Sequence, residues 1–160
     1  MVKALYVEKK PEFANRAKEL IKEFKESLQI VNLTDIRVIN RYLIEDLSDE
    51  AFLEAGETIF SEPPTDTSCT DMDFRKQQVI AVEYLPGQFD QRASSAEECL
   101  QFIAPDETPT VKSAVIYILE GELSNDELEK IKEYLINPVE SREAALGVPA
   151  TLRSKYPDPA

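Results

Sequence analysis

Two stretches of the chain, EKKPEFANRAKELIKEF at residues 8–24 and EYLPGQFDQRASSAEECLQF at residues 83–102, follow the same plan. Each one leaves an apolar run, turns at a proline and enters a segment whose apolar residues recur at helical spacing. Pro11 and Pro86 stand 75 residues apart, as do Glu8 and Glu83. The pattern predicts a strand-to-helix corner that the chain makes twice.

The same offset continues into later parts of the chain. Residues 42–45, YLIE, recur 75 positions on as YILE at residues 117–120. Helix signals follow each of these β regions: Ser48 precedes two acidic residues, and Ser124 with Glu127 has the spacing of a capping box. The apolar stripe of the last helix is one residue out of step, at an offset of 76 from its counterpart. A fixed offset across four elements indicates an internal duplication.

We therefore predict an α+β fold built from two tandem units, each a strand, a helix, a β region and a helix. A pseudo-two-fold axis would relate the units, and helices would cover the antiparallel sheet or sheets. The predicted boundaries are 1–64 for the first repeat, 65–77 for a linker, 78–141 for the second repeat and 142–160 for a C-terminal linker.

Local patterns add more specific expectations. Asn40-Arg41 interrupts an apolar run and predicts a bulge, bend or tight turn in the second β region. Ser94 or Ser95, each with a glutamate three residues later, is the expected cap of the third helix. Helical spacing then places Cys99 in the core.

Composition excludes several classes of function. The 31 acidic residues against 18 basic ones give a formal net charge of −13, which disfavours nucleic acid and anionic membranes as partners. No apolar run approaches the about 18 residues that a membrane span needs. Two cysteines and a charged N-terminal sequence predict a cytoplasmic protein without disulfides.

The residue inventory also argues against catalysis. The chain has no histidine, so it lacks a Ser-His-Asp triad, a Cys-His pair and a histidine zinc site. Cys69 lies near acidic residues, which disfavour the thiolate. Asp66, Asp71 and Asp73 have no spacing that fixes a metal geometry. We predict no catalytic residue and no metal site in this chain.

The loop PGQFDQR at residues 86–92 is the most distinctive candidate for binding. Gln88, Asp90 and Arg92 lie where a helix is expected to begin, and free amides at a helix N-terminus can hold an anion. The alternative is a structural turn, in which Asp90 caps backbone amides and Phe89 fills the core.

Several longer stretches resemble one enzyme family. YVEKKPEF, NRYLIEDLSDEAF, IFSEPPTD, VEYLPGQFDQRASSAEECLQ and YLINPVESREA occur in order between residues 6 and 144. Together they resemble the N-terminal region of long-form phosphoribosylformylglycinamidine synthase, an amidoligase of purine biosynthesis. In that family the region is similar to two fused copies of the small accessory subunit PurS. The resemblance thus implies a PurS-like fold and a duplication.

The resemblance also implies a role and partners. Asn137, within LINPVES, matches an Asn-Pro-Val segment of the accessory subunit, and the first repeat lacks it. ATP, magnesium and the glutaminase cysteine belong to later domains of the enzyme, so this part would bind no cofactor and would contact the synthase and glutaminase domains. Self-association of the fragment stays open. The competing hypothesis is a regulatory module that binds a small metabolite between the repeats.

Overall fold

The structure, a computed structural model, describes residues 1–75, 77–149 and 151–152. The protein is a mixed α+β protein whose described part contains one antiparallel sheet of six strands. In chain order the strands are β1 (Val2–Lys9), β2 (Leu33–Glu45), β3 (Asp66–Cys69), β4 (Gln78–Tyr84), β5 (Thr110–Gly121) and β6 (Ser141–Glu143). The helices are α1 (Asn15–Glu26), α2 (Asp49–Thr58), α3 (Gln91–Ile103) and α4 (Asn125–Leu135). A short 3-10 turn, Pro11–Phe13, precedes α1.

The strand order is β3-β1-β2-β5-β4-β6. Exchanging β1 with β4, β2 with β5 and β3 with β6 reverses this order and leaves the sheet unchanged. The register obeys the same exchange, because Val7 lies opposite Asn40 and Val82 lies opposite Val115, each 75 positions later. Asn40 and Val115 also face each other across the β2–β5 seam, so the pseudo-two-fold axis passes between them. This geometry supports the duplication hypothesis.

The helices pack on one face of the sheet and form two cores with it. The first core joins α2 and α3 over β1 and β2, and the second joins α1 and α4 over β2 and β5. Phe24 of α1 meets Tyr134 of α4 with their rings edge to face at 5.1 Å. The helices α1 and α2 of the first repeat thus pack against α4 and α3 of the second. The two repeats are therefore joined in the helix layer as well as in the sheet.

The opposite face of the sheet is covered by irregular chain. Met72 and Phe74 pack on it from the segment after β3, and Ala144 and Leu152 pack on it from the segment after β6. We call residues 144–149 and 151–152 the cover segment. The core beneath consists of alternate residues of the four central strands: Val2, Ala4, Tyr6, Ile39, Leu43, Ala81, Ile116 and Ile118.

Several details differ from the sequence expectations. β2 runs through Asn40-Arg41 without a break, and the register shift lies near its start, between Leu33 and Asp35. The predicted linker 65–77 contains a strand, β3, which pairs with β1. The strand β6, which begins at residue 141, pairs with β4 in the equivalent register, 75 positions later. Strands of four and three residues are too short to show an apolar period. Part of the predicted linker 142–160, residues 153–160, lies outside the described residues.

The helix caps agree with the sequence predictions at two of the three helices for which a cap was predicted. Ser48 caps α2, and Ser124 forms a capping box with Glu127, as predicted. Asp90, not Ser94 or Ser95, caps α3. The prediction of Cys99 in the core is wrong: Ala93, Ala96 and Leu100 form the buried face of α3, and Cys99 lies outside it and is exposed. None of the helices in the described part combines the length and apolarity that crossing a bilayer needs.

Candidate functional site

A groove crosses the helix layer above the centre of the sheet. It consists of a larger cleft of about 620 Å³ and a smaller one of about 390 Å³. Arg92, Val115 and Tyr117 line both clefts, so the two are continuous. We call the whole the central groove. Its volume is in the range of small-molecule sites.

The groove follows from the pairing of the helices. Because α2 packs with α3 and α1 packs with α4, the layer has a gap between the two pairs. The starts of α1 and α3 both reach this gap: Asn15 and Arg16 of α1 line the smaller cleft together with Arg92 of α3. Val115, at the pseudo-two-fold axis, lies on its floor.

Two tyrosines, Tyr42 and Tyr117, occupy equivalent positions on β2 and β5. Both line the larger cleft, and they are only 7% and 8% exposed. Burial raises the pKa of both phenols. The positive charge of Arg92 opposes this effect at both positions, and that of Arg16 also opposes it at Tyr117. Arg16, Arg92 and Tyr117 all line the smaller cleft.

The cations around the smaller cleft differ in how they are neutralised. Arg37 donates two hydrogen bonds to Glu8, at 2.7 and 3.0 Å, and Lys9 forms an ion pair with Asp66 at 2.8 Å. Arg92 donates a hydrogen bond of 2.9 Å to the uncharged Asn40 side chain. Within the described residues, neither Arg92 nor Arg16 has a carboxylate partner.

The starts of α1 and α3 differ as well. At α3, Asp90 accepts a hydrogen bond from Ala93 N at 3.0 Å and two from the Ser113 amide and hydroxyl, at 2.9 and 2.7 Å. This carboxylate satisfies the helix end and ties it to β5. At α1 the cap position is Ala14, which offers no side-chain acceptor. The first turn of α1 lines the smaller cleft with its amides uncapped by a side chain.

The predicted site residues are not brought together. Gln88 is exposed in the turn after β4, where its amide donates to the Leu85 carbonyl at 3.0 Å. Asp90 has the capping role of the structural alternative, although Phe89 is 70% exposed and does not fill the core. Arg92 lies in the central groove. Asn137 builds the turn before β6, accepting from Val139 N at 3.1 Å through its side chain.

Two of the three aspartates that the sequence analysis considered and set aside as metal ligands are engaged in ion pairs. Asp66 is held by Lys9, and Asp73 pairs with Arg75 at 2.8 Å. In the parts of the chain that the structure describes, no group of three or more cysteine, aspartate or glutamate side chains could hold a metal ion.

Arg16 and the two groove tyrosines were not among the site residues predicted from the sequence. Tyr42 and Tyr117 did carry a signal, because they recur at the 75-residue offset in apolar strands. Arg16 carried none, since an arginine in the first turn of an amphipathic helix is typical of a solvated face.

No model of a known protein family matches the chain, and no curated protein is found to match it. The fold and the groove define the class: an α+β protein with a six-stranded antiparallel sheet, one helical face and a central groove with cationic side chains.

Proposed function

We propose that this chain is the N-terminal, PurS-like domain of a long-form phosphoribosylformylglycinamidine synthase. That enzyme converts formylglycinamide ribonucleotide to the amidine with ATP and with ammonia released from glutamine. The observation that carries the proposal is the ordered set of family-like stretches between residues 6 and 144. The two-fold register of the sheet supports it, since two fused accessory-subunit copies would form such a sheet.

The role we assign is architectural. The domain would hold the synthase and glutaminase portions in the geometry that passes ammonia between them. Such a device is needed because ammonia released into water at neutral pH is mostly protonated and then no longer a nucleophile, whereas an enclosed path prevents this loss. In this proposal the residues of the chain position other domains and do not react.

An exposed apolar surface is suited to this role. Tyr84, Phe89 and Val139 are 43%, 70% and 78% exposed. They lie at one end of β4, where the Leu85 amide donates to the Glu140 carbonyl at 2.9 Å and joins the two turns that carry Phe89 and Val139. Exposed large apolar side chains on neighbouring turns are candidates for an interaction site. We call these three residues the apolar rim.

The test measures amidine formation by the synthase and glutaminase portions expressed without this region, with glutamine or with an ammonium salt. Ammonium-driven synthesis should persist without the chain, and glutamine-driven synthesis should return when the chain is added. If both activities are the same with and without it, the bridging role is wrong.

A matched pair of variants sharpens the test. Val139→Ser should weaken the recovery of glutamine-driven synthesis, because Val139 lies in the apolar rim. Val31→Ser, at a valine that is 74% exposed between α1 and β2, should recover activity like the unchanged chain. Equal recovery with both variants would exclude Val139 from the contact surface.

A further inference from the structure

The smaller cleft is a positive site on an acidic protein. Its lining includes the cations Lys9, Arg16, Arg37 and Arg92 but only one carboxylate, Glu8. The chain as a whole carries a formal net charge of −13. A local excess of positive charge in a concave, partly apolar wall concentrates the electric field and attracts an anion.

Two of these cations are available to a ligand. Arg37 and Lys9 are neutralised by Glu8 and Asp66, as described above. Arg16 of α1 and Arg92 of α3 are exposed, and both line the smaller cleft together with Tyr117. Guanidinium groups bind phosphate oxygens through paired, charge-assisted hydrogen bonds.

The α1 terminus adds backbone donors at the same place. Residues 14–17 line the cleft, and α1 has no side-chain cap. The free amides and the positive end of the helix dipole favour a negative charge there. α3 cannot play this part because Asp90 already occupies its first turn. The two guanidinium groups and the α1 amides therefore provide more hydrogen-bond donors than a single carboxylate could accept.

The larger cleft suits the uncharged part of such a ligand. Tyr42, Phe60, Val82 and Tyr84 provide apolar and aromatic walls. Glu83 and Glu140 also line this cleft and would repel an anion. A phosphate is therefore favoured at the α1 end and an aromatic ring at the other.

We propose that the central groove binds a mononucleotide, with its phosphate between Arg16 and Arg92 at the open start of α1 and its base against the aromatic wall around Tyr42. Of the residues predicted from the sequence for a metabolite site, only Arg92 contributes to this groove; Gln88 and Asp90 lie outside its lining. This inference goes beyond the bridging role and does not depend on it.

The test titrates the full chain with AMP, adenosine and inorganic phosphate by isothermal calorimetry. AMP should bind, and adenosine should bind at least about tenfold more weakly because it lacks the charge-assisted hydrogen bonds. Arg16→Gln and Arg92→Gln should each weaken AMP binding by about 10- to 100-fold. Arg75→Gln is the matched control, since Arg75 is exposed and pairs with Asp73 away from the groove, and it should bind AMP like the unchanged chain.

Each outcome decides part of the assignment. The proposal is overturned by the absence of AMP binding at millimolar concentration, by equal affinity for adenosine, or by unchanged affinity in both groove variants. Inorganic phosphate binding as tightly as AMP would overturn the placement of the base. Circular dichroism and thermal unfolding of Arg16→Gln and Arg92→Gln check that both variants fold. These titrations do not involve ammonia transfer, so a negative result would leave the bridging proposal unaffected.

Discussion

At the scale of single residues, Gly121 closes the β2–β5 seam. Its φ is +129°, and a Cβ atom there would lie 2.1 Å from the Asn32 carbonyl oxygen. Asn32 directly precedes Leu33, which faces Gly121 across the seam. The backbone of the neighbouring strand thus comes too close for any other residue, and side-chain motion cannot relieve the contact.

Gly121→Ala should therefore lower the free energy of unfolding by about 2–4 kcal/mol, from backbone strain and overpacking together. Gly56→Ala is the matched control: Gly56 lies in α2, and a Cβ there meets nothing within 4 Å. That substitution should instead stabilise the protein by about 0.5–1 kcal/mol. Urea unfolding of both variants measures the difference, and equal midpoints would contradict this reading of the seam.

Asp90 shows why a residue pattern can select the wrong cap. Ser94 and Ser95 have ideal capping-box spacing, yet α3 begins at Gln91 because Asp90 serves two partners at once. One is Ala93 in its own helix, and the other is Ser113 of β5, 23 residues away. Capping rules consider only neighbours along the chain and therefore cannot take the contact with Ser113 into account.

At the scale of elements, β3 is held by one carboxylate. Asp66 is 9% exposed and receives hydrogen bonds from Glu62 N at 2.9 Å and from the Thr65 hydroxyl at 3.2 Å, besides the Lys9 ion pair. Burial favours the neutral acid, but these partners outweigh it and hold the pKa of Asp66 below its usual range. β3 has only four residues, so this anchoring matters for its pairing with β1.

The lowered pKa makes stability depend on pH with a defined sign. The unfolded chain binds the Asp66 proton more readily, so the stabilisation is complete above the unfolded pKa of about 4 and is lost as the pH falls through the folded pKa. Asp66→Asn should flatten the stability profile below about pH 5. Lys9→Gln removes a partner that lowers the pKa of Asp66, so the loss of stability on acidification should begin at a higher pH. Urea midpoints across this range test both, and an unchanged slope in Asp66→Asn would refute the assignment.

The cover segment is fastened to the sheet by two buried charged residues. Arg41, 3% exposed, donates to the Ala145 carbonyl at 2.6 Å, and its Nε has no partner within the described chain. Glu45 accepts from the Thr151 hydroxyl at 2.9 Å and from Leu152 N at 2.8 Å. Burial lowers the pKa of Arg41. A poorly satisfied buried cation contributes little net stability and acts mainly by positioning what it binds.

Arg41→Met should consequently leave the free energy of unfolding within about 1 kcal/mol, because an apolar side chain of similar volume removes the desolvation cost. Hydrogen exchange of residues 144–149 should nevertheless become faster, since the segment loses its hydrogen bond to β2. Arg75→Met, at an exposed arginine, serves as the control. Unchanged protection of the cover segment in Arg41→Met would show that other contacts hold it.

At the scale of the whole molecule, the 75-residue offset predicted most elements and their class. It could not predict that the halves share one sheet, because strand pairing depends on distant residues. Edge strands β3 and β6 were missed, although their registers also obey the offset. The groove is symmetric in its tyrosines but not in its arginines: the counterparts of Arg16 and Arg92 are Gln91 and Ala17. Comparison of the repeats alone therefore could not reveal it.

The register makes a prediction about half of the chain. A fragment of residues 1–75 would expose the β2 edge that β5 normally covers, and exposed edges pair with other strands. Because Asn40 lies opposite its counterpart Val115, two copies of the fragment paired in the same register would place Asn40 opposite Asn40. We expect light scattering to show a dimer, in which the β2 strands of two fragments pair as β2 and β5 pair in the full chain.

A disulfide reports this register directly. In a fragment that also carries Cys69→Ser, Asn40→Cys should crosslink the dimer on oxidation, since Cα atoms of directly opposed antiparallel residues lie about 4.5–5.5 Å apart, within disulfide range. Lys25→Cys, on the exposed side of α1, should not crosslink it. A monomeric fragment, folded or unfolded, or equal crosslinking at both positions would contradict the prediction. Crosslinking at Asn40→Cys would show that β2 can pair with a second β2 in place of β5. Its absence would show that the pairing requires the particular residues of β5.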